Sequence, residues 1–224
     1  MLLGGDGRKC VARRQPLCVQ SASLPLARPE LSHVSILHVD RQGAMKSLDP
    51  GPDRLPPIAP AQWTRAQREV AEAMIAGPRG AVLAPFVPLL RSPELANQVQ
   101  RLGEHLRYRA AIGVRLTELA ILVTSSEWQQ PVEWAIHVPI AERAGIAPAT
   151  VAALLRRERP AALADDEAAV YDVCTELHRQ RHVSDATWAR AIALFGEQGV
   201  MDLIGVNGYY ALLAMVMNAA RTPV

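Results

Sequence analysis

Three ionisable residues lie inside apolar stretches of helical spacing, and their types suit proton transfer. In the run EWAIHVPIA, Glu133 and His137 are four residues apart, which places both side chains on one face of a helix. Glu118 lies in a second apolar run, RLTELAILVTS. A nearby carboxylate favours the charged imidazole and burial disfavours it, so a histidine in this setting can give or take a proton near neutral pH.

Spacing alone leaves two interpretations of the Glu133–His137 pair open. Pairs of this type form catalytic sites, but they also occur as surface pairs or as structural hydrogen bonds. The two apolar runs are separated by a short connection, so antiparallel packing of the two helices would bring Glu118 to the same place. We therefore predict that the three side chains converge on a common, partly dry pocket.

Helix start and stop signals divide residues 61–222 into a series of helices. Thr64 and Gln67 form a capping-box pattern, and Gly77 is placed to end the helix that follows. Ser92 followed by Pro93 indicates the next helix start. Because no segment shows clear strand alternation, we predict an all-α, multi-helix bundle. Further helices are predicted at about 114–125 and 131–144, from Pro148, from Asp165 and from Ser184, with a last apolar helix near 200–220.

Charge and cysteine usage exclude several classes of function. The net charge is +2, but residues 1–44 alone carry +3, so the rest of the chain carries −1. This near-neutral body argues against a nucleic-acid partner. Asp202 and Asn207 interrupt the last apolar run, so we predict no membrane partner. Cys174 is the only cysteine after residue 44, which is too few for a disulfide framework or a zinc site, and a cytoplasmic location follows.

The first 60 residues differ in composition from the rest. Residues 1–44 mix arginine, serine, glycine and proline without a helical or strand period, and they lack the apolar core of a secretory signal. We predict a disordered leader or an over-extended start before Met45, the alternative being an organelle transit peptide. Residues 45–60 form a Pro-rich segment, and residues 61–222 form the helical domain.

The stretch 89–145 resembles the carboxymuconolactone decarboxylase family, which includes the alkylhydroperoxidase D-like proteins. The resemblance lies in the runs TELAIL and EWAIH, the tryptophan between them and the following A…AG, and the closing GYYALLAMVMNAA is compatible with it. It implies an all-helical bundle of the alkylhydroperoxidase D-like type and a homo-oligomer, either a trimer or a hexamer.

The chemistry implied by the resemblance depends on which branch of the family the chain matches. The peroxidase branch carries a Cys-x-x-Cys motif ending four residues before a histidine. Gln130 and Glu133 occupy those two positions here, so this sequence lacks the redox dithiol that reduces hydroperoxides. The decarboxylase branch resembles this chain in placing a glutamate four residues before the histidine, and Glu118, Glu133 and His137 match it.

The resemblance therefore implies a cofactor-independent lyase or isomerase acting on a small carboxylated lactone or a related acid. His137 would be the proton donor or shuttle, Glu133 its orienting partner and Glu118 a second proton relay, with no metal and no organic cofactor. Trp134 is a candidate pocket wall. Arg107 and Arg115 are candidate anchors for the substrate carboxylate.

Two other functions stay open from the sequence. One is a peroxidase-like antioxidant role, disfavoured because the dithiol is absent. The other is a non-enzymatic helical oligomer or small-molecule binding protein, in which the Glu/His cluster is a satisfied buried network. His178 and His182 have metal-compatible spacing but lack a third ligand, so we interpret them as an exposed helix face. Gly205 and Gly208 are expected to permit close helix packing.

Overall fold

The computed structural model describes residues 37–39, 45–47 and 51–224 of the chain. The predictions of a disordered leader and of a start at Met45 concern residues 1–44, most of which lie outside these described residues. Two short strands, β1 (Leu37–Val39) and β2 (Met45–Ser47), pair in antiparallel fashion with Val39 opposite Met45. These strands are not predicted from the sequence, because three residues are too few to show alternation.

From residue 51 onward the chain is helical, which confirms the predicted all-α, multi-helix bundle. A single 3-10 turn at Pro60–Gln62 precedes the first α-helix. The helices are α1 (Arg65–Ala76), α2 (Phe86–Leu89), α3 (Pro93–Arg109), α4 (Gly113–Glu127), α5 (Pro131–Arg143), α6 (Pro148–Leu155), α7 (Asp165–Gln180) and α8 (Asp185–Ala220).

The first long helices begin where the capping residues predict. The Thr64 side chain accepts a hydrogen bond from the Gln67 backbone, and the Gln67 side chain accepts one from the Thr64 backbone, so the capping box is complete. Helix α1 ends at Ala76, just before Gly77. Helix α3 begins at Pro93 as predicted, although Ser92 makes no side-chain capping hydrogen bond.

Helix α4 is the central element of the bundle. It packs against α5, α7 and α8, and every residue from Leu116 to Ser126 is buried. A helix that is covered on all sides must carry apolar residues all round. Glu118 is therefore an exception in α4 that needs a partner inside the protein.

Helix α8 joins two helical segments that the sequence analysis predicts separately. Gly196 has φ 65° and ψ 177°, which breaks the helix between the segment capped by Ser184 and the apolar segment after residue 199. Glycine adopts such a conformation without the steric cost of a Cβ. By length and composition α8 is also apolar enough to cross a membrane, but 56% of its most apolar 18-residue stretch is buried inside the protein.

Candidate functional site

Helices α4 and α5 bring the three predicted side chains into direct contact. The Nδ1 atom of His137 lies 2.6 Å from an oxygen of Glu118, and its Nε2 atom lies 3.3 Å from an oxygen of Glu133. The imidazole is 3% exposed and each carboxylate 2%. The predicted convergence of the three groups is thus confirmed, while their catalytic role stays a prediction.

The start of α5 is held by the side chain of Gln130. The Gln130 side-chain oxygen accepts a hydrogen bond of 2.7 Å from the Val132 backbone, and its amide donates one of 2.8 Å to Asn218 of α8. This cap fixes the first turn of α5 against α8. Because Glu133 and His137 lie one turn apart on the same helix, the cap also fixes where both side chains point.

Two buried carboxylates flank one imidazole, and this sets the protonation of His137. Burial, the largest single influence, lowers the pKa of His137, but hydrogen bonds and negative charge from Glu118 and Glu133 together raise it above its ordinary value of 6.5. An imidazolium can donate through both ring nitrogens, one to each carboxylate. The cluster then carries two negative charges and one positive charge inside the protein, so one carboxylate is only partly compensated.

That incomplete compensation falls on Glu133. Its contact with His137 is the longer of the two. Its other oxygen, Oε1, is buried and has no hydrogen-bond partner among the described residues. A buried acceptor without a partner is costly and uncommon in folded proteins. Glu118 is therefore the group that holds the ring, and Glu133 is the group with hydrogen-bonding capacity to spare.

An aromatic pair from α8 closes the other side of the imidazole. The rings of Tyr210 and His137 meet edge to face, with centroids 5.1 Å apart and an interplanar angle of 90°. Tyr209 meets Tyr210 at the same distance. Neither tyrosine is predicted from the sequence to lie beside the Glu/His cluster, because α8 is distant along the chain from α4 and α5.

Gly103 of α3 makes room for Tyr209. A Cβ atom at residue 103 would overlap the Tyr209 hydroxyl. Arg79 lies beside the same hydroxyl and is held there by hydrogen bonds of 3.2 Å and 2.9 Å to Gln100. The tyrosine pair is thus wedged between α3 and the imidazole.

The two candidate anchors for a substrate carboxylate differ in the structure. Arg115 forms ion pairs with Asp166 and Glu167 at the start of α7, so its charge is already matched. Arg107 is half-buried, forms no ion pair with another described residue and lies 5.5 Å from the centroid of its neighbour Tyr108. Of the two, only Arg107 has a charge to offer a ligand. Trp134 is partly buried and packs against the core.

The sequence-based interpretation of His178 as part of an exposed face is wrong. His178 is only partly exposed, and its Nε2 atom lies 3.1 Å from the Thr124 hydroxyl, which also bonds Asn207. The Asn207 amide donates to the sulfur of Cys174. Tertiary packing of α7 on α4 hides one half of the i,i+4 pair, whereas His182 is exposed.

Among the described residues no group of three or more His, Cys, Asp or Glu side chains is placed to hold a metal ion.

Of the two α8 glycines expected to permit close helix packing, Gly205 does so and Gly208 does not. A Cβ atom at Gly205 would lie 3.0 Å from Leu106 of α3, so close packing there is confirmed. Gly208 is exposed and has no neighbour within 4 Å of a Cβ position, so the same expectation is wrong for Gly208.

The Glu/His cluster does not line the open surface depression found on this chain. That depression has a volume of about 600 Å³ and lies on α3. Its lining residues are Gln98, Arg101, Leu102, Glu104 and Arg109. The three candidate side chains are instead packed under neighbouring helices.

The pKa values of His137 and His178 are expected to depart from that of a free histidine in opposite directions. Burial lowers the pKa of His178, against the opposing charge of Glu127. His137 therefore stabilises the fold at low pH, and this contribution is lost as the pH rises above 6.5 through its raised pKa. For His178 the contribution is present above pH 6.5 and is lost as the pH falls through its lowered pKa.

The measurement is an NMR titration of the imidazole carbons of the six histidines across about pH 5 to 9. The variants His137→Gln and His178→Gln assign the two resonances. We expect the His137 midpoint above 6.5 and the His178 midpoint below it. A His137 midpoint below 6.5 would contradict the charge arrangement described above.

Comparisons with known proteins give no assignment of the chain. No protein-family model matches it. A search of curated proteins also finds no match.

Proposed function

We propose that the chain is a cofactor-independent acid–base enzyme, a lyase or isomerase acting on a small carboxylated lactone or a related acid. The observation that carries the proposal is the buried imidazole hydrogen-bonded between two carboxylates, one of which keeps an unpaired oxygen. The resemblance of residues 89–145 to carboxymuconolactone decarboxylases supports the reaction type.

The proposed reaction breaks the carbon–carbon bond to a carboxylate. Its electron pair passes into a dienolate as carbon dioxide leaves, and a proton is then added to carbon. His137 is the proposed proton donor, because its raised pKa favours the charged, proton-donating form of the ring. The contact distances favour Glu118 as the orienting partner and Glu133 as the proton relay, which exchanges the two roles suggested by the sequence. Arg107 is the proposed anchor for the carboxylate.

A homo-oligomer in the cytoplasm is part of the proposal. The resemblance implies a trimer or a hexamer, and α8 offers a surface for such contacts. Met201 and Met215 are 59% and 48% exposed on this helix, and Gly208 between them is exposed too. Exposed apolar side chains in a row are typical of interaction surfaces. The partners proposed are therefore copies of this chain and a small acid or lactone, without a nucleic acid or a membrane.

A thiol peroxidase is not favoured by the state of Cys174. This cysteine is fully buried, and burial raises the pKa of its thiol to about 12. Only the thiolate reacts readily with a peroxide. Cys174 is the sole cysteine among the described residues, so no resolving thiol accompanies it there.

A non-enzymatic binding or scaffold protein is the second candidate, and the packing of the cluster favours it. The three side chains are each about 97% or more buried, whereas the open depression of about 600 Å³ lies elsewhere on α3. A buried polar network can serve only to specify the core. In that case the cluster would matter for stability and not for turnover.

The test is a screen of lactone and keto acids for carbon dioxide release. Wild type is compared with His137→Ala, Glu133→Gln and the control His182→Ala, which removes an exposed histidine. We expect the first two variants to lose at least about 100-fold in turnover, and the control to match wild type. Equal turnover in all four proteins would remove the catalytic assignment and leave the second candidate.

A further inference from the structure

Two residues that contact His137 each carry a polar atom without a hydrogen-bond partner among residues 51–224. One is the buried Oε1 atom of Glu133, an acceptor. The other is the hydroxyl of Tyr210, which forms no hydrogen bond with another residue of the range 51–224 and, unlike Glu133 Oε1, keeps some exposure to solvent. Native proteins rarely leave a buried acceptor such as Glu133 Oε1 unsatisfied unless it serves a function or a ligand. A bound molecule could use both this acceptor and the unpaired hydroxyl donor, because Glu133 and Tyr210 both contact the His137 ring.

The Tyr210 hydroxyl is a donor that stays protonated. Burial raises its pKa well above the ordinary value of 10, and the negative charge of Glu133 raises it further, against the opposing charge of Arg107. A neutral phenol with a high pKa can donate a hydrogen bond to an oxyanion without giving up its proton. Tyr210 and Glu133 both contact the His137 ring, so the two residues lie around the same imidazole.

The ring of Tyr210 is fixed in place on two sides. Its edge-to-face contact with His137 holds it against the imidazole, and a second such contact joins it to Tyr209. Tyr209 in turn occupies the space left by the missing side chain of Gly103. A donor held this rigidly needs no reorganisation when charge develops on a substrate, which is the property of an oxyanion-stabilising group.

We propose that Tyr210 is a further catalytic residue, whose hydroxyl donates a hydrogen bond to the substrate oxygen that becomes an enolate, while Glu133 and His137 handle the proton on carbon. This inference rests on the proposed function and narrows its substrate class. The substrate is an acid whose reacting carbon is conjugated with a carbonyl group, as in an enolisable lactone. When the carbon–carbon bond breaks, the electron pair moves onto the carbonyl oxygen beside Tyr210.

The test measures binding of an enolate mimic separately from turnover. The probe is tetronate, the anion of an acidic five-membered lactone, and the uncharged comparison ligand is γ-butyrolactone. Calorimetric titrations compare wild type with Tyr210→Phe, which removes only the hydroxyl. The matched control is Tyr209→Phe, which removes a hydroxyl from the neighbouring ring on the side of Gly103.

We expect tetronate to bind wild type and Tyr209→Phe alike, and Tyr210→Phe at least about tenfold more weakly, the effect of one hydrogen bond to a charged group. Binding of γ-butyrolactone should not distinguish the three proteins. In wild type, tetronate should also shift the phenol carbon resonance of Tyr210 among the four tyrosines, a readout that does not require the variant to fold.

Unchanged affinity in Tyr210→Phe, an unshifted Tyr210 resonance, or no binding of tetronate to wild type would overturn the inference. The carbon dioxide screen fails or succeeds independently of these readouts. If Tyr210→Phe loses tetronate binding but wild type releases no carbon dioxide, Tyr210 stays an enolate-binding residue and the decarboxylation is rejected. Turnover that survives Tyr210→Phe unchanged would keep the decarboxylation and reject the role of Tyr210.

Discussion

Replacement of Glu118 by leucine is expected to lower the free energy of unfolding by about 3–5 kcal/mol at neutral pH. The expected loss is large because Glu118 is 2% exposed and makes the shorter of the two contacts with His137. Without it, the Nδ1 atom of the buried imidazolium has no acceptor, because Glu133 contacts only Nε2, and an unsatisfied donor on a buried charged group is costly. Urea denaturation of both proteins measures the difference.

A matched control on α3 separates this effect from the loss of an ordinary, partly exposed glutamate. Glu104 is 32% exposed and pairs with Arg109 at 3.4 Å, so water already screens its charge. We expect Glu104→Leu to change the free energy of unfolding by no more than about 1 kcal/mol. A comparable loss at both positions would mean that Glu118 contributes as an ordinary surface charge does.

Replacing all three members of the cluster together tests why the cluster exists. We combine Glu118→Leu, Glu133→Leu and His137→Phe in one variant. We expect its free energy of unfolding to be equal to or higher than that of wild type, or lower by no more than about 1 kcal/mol, because apolar side chains of similar size avoid the desolvation of three charges. Phenylalanine also preserves an aromatic contact with Tyr210. Recovered stability together with lost turnover would indicate that the cluster is kept for chemistry. A triple variant as unstable as Glu118→Leu would instead support the second candidate, a structural network.

The cluster was predictable from the sequence because each step depends on local rules. The spacing of Glu133 and His137 puts them on one helical face, and the helix starts at Pro131, where the sequence predicts it. The connection after α4 is only three residues long, at 128–130. A short connection between two helices leaves little freedom except packing against each other, which brings Glu118 to His137.

The rest of the site depends on contacts that no local pattern encodes. Tyr210 reaches His137 from α8, and Gly103 supports the neighbouring Tyr209 from α3. The burial of His178 comes from the packing of α7 on α4. Helix α2, four residues long and containing Pro88, is too short to show a period. Long-range packing therefore decided every feature of the site that sequence reasoning missed.

Substitution of Gly103 by alanine is expected to lower the free energy of unfolding by about 1–3 kcal/mol, although glycine to alanine in a helix usually stabilises by up to about 1 kcal/mol. The new Cβ atom would overlap the Tyr209 hydroxyl and lie 2.8 Å from a guanidinium nitrogen of Arg79. Neither neighbour moves freely, because Tyr209 is 4% exposed and Arg79 is hydrogen-bonded to Gln100. Thermal and urea denaturation measure the change.

Gly208→Ala is the matched control, since it makes the same change in a helix where a Cβ atom has no neighbour within 4 Å. We expect it to stabilise the protein by up to about 1 kcal/mol. A loss of stability at Gly208 would mean that another copy of the chain covers this face of α8 in solution. A higher free energy of unfolding in Gly103→Ala would contradict the close packing of Tyr209 against α3.

The same contact predicts a coupling between Gly103 and Tyr209. Adding Tyr209→Phe to Gly103→Ala removes the hydroxyl that meets the new methyl group, so part of the lost stability should return. The recovery should be incomplete, because the new Cβ atom also meets the ring carbon that carries the hydroxyl. Since Tyr209 supports Tyr210 and Tyr210 contacts His137, Gly103→Ala should also shift the imidazole resonance of His137, and Gly208→Ala should not.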